Sequence, residues 1–229
     1  MIDIHSHILP GVDDGAKTPE ESVSILKAMK AQGVTKVIAT PHFYSHKDTW
    51  ESFLERRQAA FEKIPYDPEQ MPEILLGAEV TYFDRMIHSE GLKQLQLGDS
   101  KLLLLEMPFR DWTDQMVQEV CDLSMYAGVT PVLAHIDRYR EKQQLPKYLK
   151  YLRKSDVLFQ CGTDPFLQPA SLRWAMKMFR KGNVHFLGSD AHNLTARPPQ
   201  MDKAAQVITE KLGEAAMDQI NTFSYELFG

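Results

Sequence analysis

Seven short apolar runs recur along the chain, at residues 2–4, 36–39, 74–77, 102–105, 131–134, 157–160 and 184–187. They are apolar nearly throughout, as strands covered on both faces are. Longer amphipathic stretches separate most of them. Strand, helix and strand in repetition require crossover connections, which are right-handed and generate a parallel sheet. Seven such units in 229 residues predict an α/β fold whose sheet closes, or nearly closes, into a TIM-like barrel. An open, doubly wound sheet is the alternative. Either architecture collects function at the C-terminal ends of the strands.

The clearest helix follows the first strand, in TPEESVSILKAMKAQG. Thr18 reads as its N-cap, Pro19 as its first residue and Glu21 as the partner that closes a capping box. Gly33 reads as the residue just past its end. Further helices are expected at 50–62, 113–126, 145–153, 168–180 and 201–212, while 80–98 is less regular. No repeat, low-complexity segment or linker divides the chain, so residues 1–229 are expected to form one domain.

The ends of the expected strands carry a particular chemistry. Strand one runs into His5-Ser6-His7, strand two into Thr40-Pro41-His42, and strand five into His135-Ile136-Asp137-Arg138. Strand seven runs into Gly188-Ser189-Asp190-Ala191-His192, and strands three and four end in Glu79 and Glu106. Five of the eight histidines therefore stand at one edge of the sheet, beside three carboxylates that each follow an apolar run. A single histidine at a strand end is ordinarily a satisfied polar residue. Five at one edge share one pocket. Residues two apart on an extended strand face the same side, so His5 and His7 can share an ion, and Asp190 with His192 repeats that spacing. Asp13 and Asp14 add carboxylates in the turn after strand one. Imidazole and carboxylate without thiolate suit divalent Zn, Mn or Fe. There are more ligands than one ion can use, which favours a polynuclear site.

Other chemistries fit less well. Neither Cys121 nor Cys161 begins a C-x5-R phosphate loop, and both read as buried packing residues. His46, His88 and His185 fall outside the strand-end pattern and read as surface or core residues. Phe43, Tyr44 and Trp50 read as helix packing, with a wall for an aromatic substrate as the other reading. The formal charge of −5, with no basic stripe, argues against a nucleic-acid partner. No apolar run approaches the ~20 residues that span a bilayer, and the N-terminus lacks a signal-peptide pattern, so a cytoplasmic location is expected.

At these residues the sequence resembles the polymerase and histidinol phosphatase (PHP) metallo-phosphoesterase family. The matching pieces are MIDIHSHILPGVDDG, VIATPH, LLGAEV, LLLEMP, LAHIDRY and LGSDAHN followed by ARPP. The first and the last two look most like the branch of bacterial tyrosine-protein phosphatases linked to capsule and exopolysaccharide synthesis. The resemblance implies a distorted (β/α)7 barrel and a trinuclear site. It implies three divalent metal ions, with manganese preferred and zinc or iron as alternatives. By motif, His5, His7, Glu79 and Asp190 would hold one ion. Glu79 would bridge to a second, held with Glu106 and His135, and Asp14, His42 and His192 would hold the third. Asp14 is chosen over Asp13 by its place before Gly15, which leaves Asp13 as a cap or supporting partner. Arg138 and Arg197 would bind the phosphate.

The activity so implied is hydrolysis of phosphotyrosine by metal-bound hydroxide, with no covalent protein intermediate. The implied partner is a phosphotyrosine protein such as the tail of a bacterial tyrosine kinase. With three ions bound, the four carboxylates and two arginines leave a formal charge of about +4, which a phosphate dianion and hydroxide nearly neutralise. Histidinol-phosphate phosphatase is the alternative enzyme. A non-catalytic PHP interaction domain is the alternative of another class, but such domains usually lose ligands, and here every ligand position is filled.

Overall fold

The structure is a computed structural model that describes residues 1–140 and 145–229. Its strands are β1 (Ile2–Ser6), β2 (Lys36–Ala39), β3 (His42–Phe43), β4 (Glu73–Leu76), β5 (Glu79–Thr81), β6 (Leu102–Glu106), β7 (Thr130–Leu133), β8 (Leu158–Gly162) and β9 (Phe186–Gly188). Every strand pairing is parallel. One sheet runs β1-β2-β4 and the other β3-β5-β6-β7-β8-β9. An isolated parallel bridge, Ser6 to Ala191, brings the segment after β9 back to β1. The sheet is thus curled in the TIM-like manner expected from the alternation.

Two of the seven expected strands are followed closely by a second short strand. The second stops at Ala39 and resumes at His42, because Pro41 has no N–H to give to a ladder. The third was expected through residue 77; it stops at Leu76 and resumes at Glu79. A Cβ on Gly77 would lie 2.7 Å from Leu97 Cδ2 and 3.2 Å from Ile38 Cγ2, so a larger residue would have to displace packed side chains there. The last strand begins at Phe186 rather than Val184. These breaks turn His42 and Glu79 onto neighbouring short strands, where they pair directly in register.

The helices are α1 (Pro19–Ala31), α2 (Trp50–Phe61), α3 (Asp114–Tyr126), α4 (Leu145–Leu152), α5 (Asp164–Leu167), α6 (Pro169–Arg180), α7 (Met201–Leu212) and α8 (Glu214–Phe228). Thr18 caps α1 by accepting from the Glu21 N–H at 3.3 Å. Glu21 does not complete a capping box: its carboxylate accepts from Lys17 N–H at 2.6 Å, one residue before the cap. Gly33, at φ +81°, takes the left-handed turn past the helix end.

Alternation along the strands divides the core. Leu103, Leu105 and Leu133 belong to the large cluster that also holds the helix residues Ile25, Leu26 and Met29. Ile2, Ile4, Leu102, Leu104, Val132 and Phe186 form a second cluster on the opposite face, joined by Phe228 of α8. The end of α8 reaches the start of β2, where Tyr225 Oη lies 2.6 Å from Thr35 Oγ1. This final helix, absent from the sequence-based expectation, therefore packs where the strands begin and leaves their C-terminal ends to the site. No helix among the described residues is long and apolar enough to cross a membrane.

Candidate metal centre

The strand ends deliver the expected side chains to one place. His5, His7, Glu79, Glu106, His135, Asp190 and His192 are all buried, His42 is half-buried, and Asp14 is exposed. Nearly every one touches another. His5 Nε2 lies 3.2 Å from His7 Nε2 and from Glu79 Oε2, and 3.4 Å from Asp190 Oδ1. His7 Nε2 lies 3.2 Å from Asp190 Oδ1. Glu79 spans the centre: Oε1 is 2.9 Å from His135 Nε2, and Oε2 is 3.0 Å from His42 Nδ1. His135 Nε2 is also 3.3 Å from Glu106 Oε1. Asp14 Oδ1 is 3.3 Å from His192 Nε2 and 3.6 Å from His42 Nε2.

This spacing is what a cation leaves around itself. Ligand atoms bound at about 2.1 Å stand about 3.0–3.4 Å from one another in octahedral or tetrahedral arrangement. Three groups each bring one ligand atom per residue within 4.8 Å of one another: His7, Asp14, His42 and His192; His5, His7 and Asp190; and His42, Glu79 and Glu106. The groups overlap and differ in part from those implied by resemblance. His42 stands with Glu79 and Glu106 as well as with Asp14, and His7 reaches the Asp14 group. The buried nitrogens His42 Nδ1, His135 Nδ1 and His192 Nε2 have no hydrogen-bond partner. His42 Nδ1 is near Glu79 without the alignment of a hydrogen bond. Buried polar atoms are normally paired; His42 Nδ1 and His192 Nε2 lie 3.0 Å from Glu79 and 3.3 Å from Asp14, where a nitrogen lone pair facing a carboxylate oxygen has no favourable partner but a proton or a cation. The residues therefore fit divalent ions.

Supporting groups aim these rings. The Nδ1–H of His7 donates to Asp13 at 2.7 Å, that of His5 to Gln160 at 3.2 Å, and that of His192 to the Asp190 carbonyl at 2.8 Å. Each contact selects the tautomer that turns Nε2 into the centre. Asp13 also accepts from the Gly15 and His42 N–H groups. It stands behind the centre while Asp14 faces it. Gln160 is the functional residue that the sequence conceals. It is fully buried, and its Oε1 accepts from the His135 N–H at 2.6 Å as well as from His5.

Without cations the carboxylates favour the protonated form of His7, His42 and His135. Burial disfavours the charged form of His135, but Glu106 and Glu79 outweigh it and push the ring up to about 9. Burial is likewise overcome at His7 by Asp13, Asp190 and Glu79, which hold it well above the ordinary value. His192 goes the other way: burial and then the neighbouring His7 bring it down to about 4. Glu79 stays well below the usual carboxylate range despite its burial, because His5, His135 and His42 surround it.

Arg138 and Arg197 both reach this rim and are partly exposed. Each donates Nη2–H to Asp190 Oδ2, Arg197 at 2.6 Å, and Arg197 Nη1 is also 3.6 Å from Asp14. His46 and His88 stand apart from the centre, and His185 accepts the Phe159 N–H at 3.0 Å, a packing role. Phe43 is buried against Phe53, whereas the Tyr44 ring stands 5.2 Å from His42. Cys161 is fully buried, and burial followed by Asp137 pushes its thiol well up, as burial does to a lesser degree at Cys121. Neither thiol is a nucleophile at neutral pH.

The family model described as capsular polysaccharide synthesis, CpsB/CapC, matches residues 1–224. The chain belongs to the CpsB/CapC family. Among its relatives is the tyrosine-protein phosphatase CpsB of Streptococcus agalactiae serotype III, 31% identical, with 96% of this chain and 94% of the relative covered. Tyrosine-protein phosphatase YwqE of Bacillus subtilis is 31% identical over 93% of this chain and 85% of its own length. A solved structure from the pair YwqE of Bacillus subtilis and CpsB of Streptococcus pneumoniae, described as metal-dependent tyrosine phosphatases, superposes with a TM-score of 0.83 at 25% identity. That match covers 99% of this chain and 94% of the other. Histidinol phosphate phosphatase of Lactococcus lactis shares the fold, with a TM-score of 0.52 at 15% identity, covering 94% of this chain and 93% of its own.

Proposed function

We propose that this CpsB/CapC member is a metal-dependent protein-tyrosine phosphatase. Its ligands are His5, His7, Asp14, His42, Glu79, Glu106, His135, Asp190 and His192, and it holds three divalent ions, manganese before zinc or iron. The observation that carries the reading is the set of imidazole nitrogens and carboxylate oxygens packed about 3 Å apart at one end of the sheet. Cations bound there supply Lewis acidity and an activated water for attack on phosphorus.

The protein's own groups do the rest. Asp13 and Gln160 fix His7 and His5, so that the ligand rings need no reorganisation. Arg138 and Arg197 present guanidinium donors at the rim, where planar forks match pairs of phosphate oxygens. These donors stabilise charge that grows on the transferring phosphoryl group. A tyrosinate leaving group, with a phenol pKa near ~10, needs less protonation than an alkoxide. The substrate is a phosphotyrosine protein, and the tail of a bacterial tyrosine kinase that controls capsule or exopolysaccharide synthesis fits that chemistry. The compartment of such a kinase tail is the cytoplasm.

The test is metal analysis of gently purified protein, followed by turnover of a phosphotyrosyl peptide, its phosphoseryl counterpart and histidinol phosphate. The phosphotyrosyl peptide is expected to be cleaved fastest, and chelation to abolish cleavage. Faster turnover of histidinol phosphate would replace this reading with the alternative enzyme.

A further inference from the structure

Phe109 is an apolar ring left in water beside a highly charged centre. It is 54% exposed, in the loop that leaves β6 just after Glu106. Its ring lies nearly parallel to the His135 imidazole, with centroids 5.9 Å apart and an interplanar angle of 17°. Tyr139 lies 5.6 Å away and in turn packs against Trp112 at 5.1 Å. The loop is pinned on both sides of the phenylalanine. Met107 N–H donates to Tyr139 Oη at 3.0 Å, and Trp112 Nε1–H donates to the Pro108 carbonyl at 3.1 Å. The ring therefore lies over a candidate ligand, on a backbone that is tied down, with more than half of the residue exposed. Among the described residues, no other exposed aromatic ring stacks on a candidate ligand.

We propose that Phe109 selects aryl over alkyl phosphate esters by stacking on the phenyl ring of the substrate. The inference rests on the phosphotyrosine reading above. A phosphoryl group held at the centre by the rim guanidinium groups of Arg138 and Arg197 would turn its ester oxygen toward the mouth, where Phe109 stacks on His135. In phosphotyrosine that oxygen carries an aromatic ring directly. In phosphoserine it carries a methylene and then peptide backbone, which offer no comparable flat surface. Offset or parallel aromatic pairs gain more than their buried area alone.

A shield role for Phe109, keeping water from His135, makes a different forecast, because a shield protects every substrate equally. The experiment compares the manganese-loaded parent, Phe109→Ala and Phe109→Trp on a phosphotyrosyl peptide and a phosphoseryl peptide of the same sequence, with metal content measured on each. Phe109→Ala is expected to lose about tenfold in kcat/KM on phosphotyrosine while changing less than about twofold on phosphoserine, and Phe109→Trp to keep the selectivity. Equal losses on both peptides, loss of metal, or no loss on either would overturn the inference while leaving the phosphatase reading intact. A parent that does not cleave the phosphotyrosyl peptide would instead refute the phosphatase reading itself, and this inference with it.

Discussion

Replacing Gln160 by leucine should weaken both the fold and the candidate metal centre, although Gln160 is not itself among the proposed ligands. Its side chain is fully buried, and leucine is close to it in volume, so the cavity contribution is small. What changes is hydrogen bonding. The His135 N–H, 2.6 Å from Gln160 Oε1, loses its acceptor, and a buried unpaired N–H costs about 1–3 kcal/mol. The Gly188 carbonyl loses a longer bond from Gln160 Nε2, at 3.3 Å, worth about 1 kcal/mol or less. A total of about 1–4 kcal/mol converts, at about 2–4 °C per kcal/mol for a chain of this size, into a fall of about 2–16 °C in Tm. The second consequence concerns His5, whose Nδ1–H is freed, so that its tautomer and ring angle are no longer fixed. Loss of such a supporting contact typically costs 10–100-fold in metal affinity. Differential scanning calorimetry of the chelated protein isolates the first effect, and manganese titration isolates the second. Gln160→Glu keeps an oxygen for both partners and should recover part of the metal affinity. If Gln160→Leu melts within about 1 °C of the parent and binds manganese equally well, the argument from these contacts is wrong.

Arg197→Ala and Arg138→Ala should each keep their metal yet lose about 2–4 kcal/mol of transition-state stabilisation, whereas His42→Ala should lose metal and activity together; metal stoichiometry and kcat/KM separate the cases. In the chelated protein His135 is raised from 6.5 to about 9, so its contribution to stability is complete below about pH 6.5 and disappears as pH rises through 9. Melting curves across that window should fall for the chelated protein and hold for the manganese-loaded one; parallel curves would contradict it. Because both guanidinium groups rest on Asp190, Arg138→Ala should destabilise an Asp190→Asn background less than the parent, and additive changes in a double-mutant cycle would dismiss the coupling.

What could be read in the chain, and what could not, follows from where the information lies. His5, His7, His42, Glu79, Glu106 and His135 each stand just past an apolar run, and a parallel sheet aligns those ends, so periodicity alone brought them together. Adjacent Asp13 and Asp14 could not be separated by pattern. The fold turns Asp13 back onto His7 and the His42 N–H and leaves Asp14 facing His192. Gln160 ends an apolar run and reads as a wall of the pocket rather than as a support for the rings, because only the neighbouring strands supply its partners. The second strand ends at Ala39 as expected, ahead of Pro41, whereas the break at Gly77 was hidden because it depends on what lies beside the backbone and the expected run continues through it. The final helix was missed although Met217, Ile220 and Phe228 are buried along it, since no strand follows to extend the alternation.

Backbone conformation supplies the rest of the site and leaves almost no trace in composition. His135 and Asp190 have φ values of 32° and 53°, in the left-handed region that costs a residue with a Cβ about 1 kcal/mol or more. Both occur where the chain leaves a strand to enter the centre. At His135 the turn lets the carbonyl accept from the Arg138 N–H at 2.9 Å, so one tight turn presents an imidazole inward and a guanidinium at the rim. At Asp190 the N–H donates to the His5 carbonyl at 2.8 Å, fixing the last strand end against the first. Its carboxylate then divides its work: Oδ1 faces His5 and His7, while Oδ2 receives both arginines. Asp190 is thus a proposed ligand through which the cation-binding rings and both proposed phosphate donors share a single rigid group. A regular strand end would point that carboxylate elsewhere, and the strain at these two residues is the cost of placing both functions on the same few atoms.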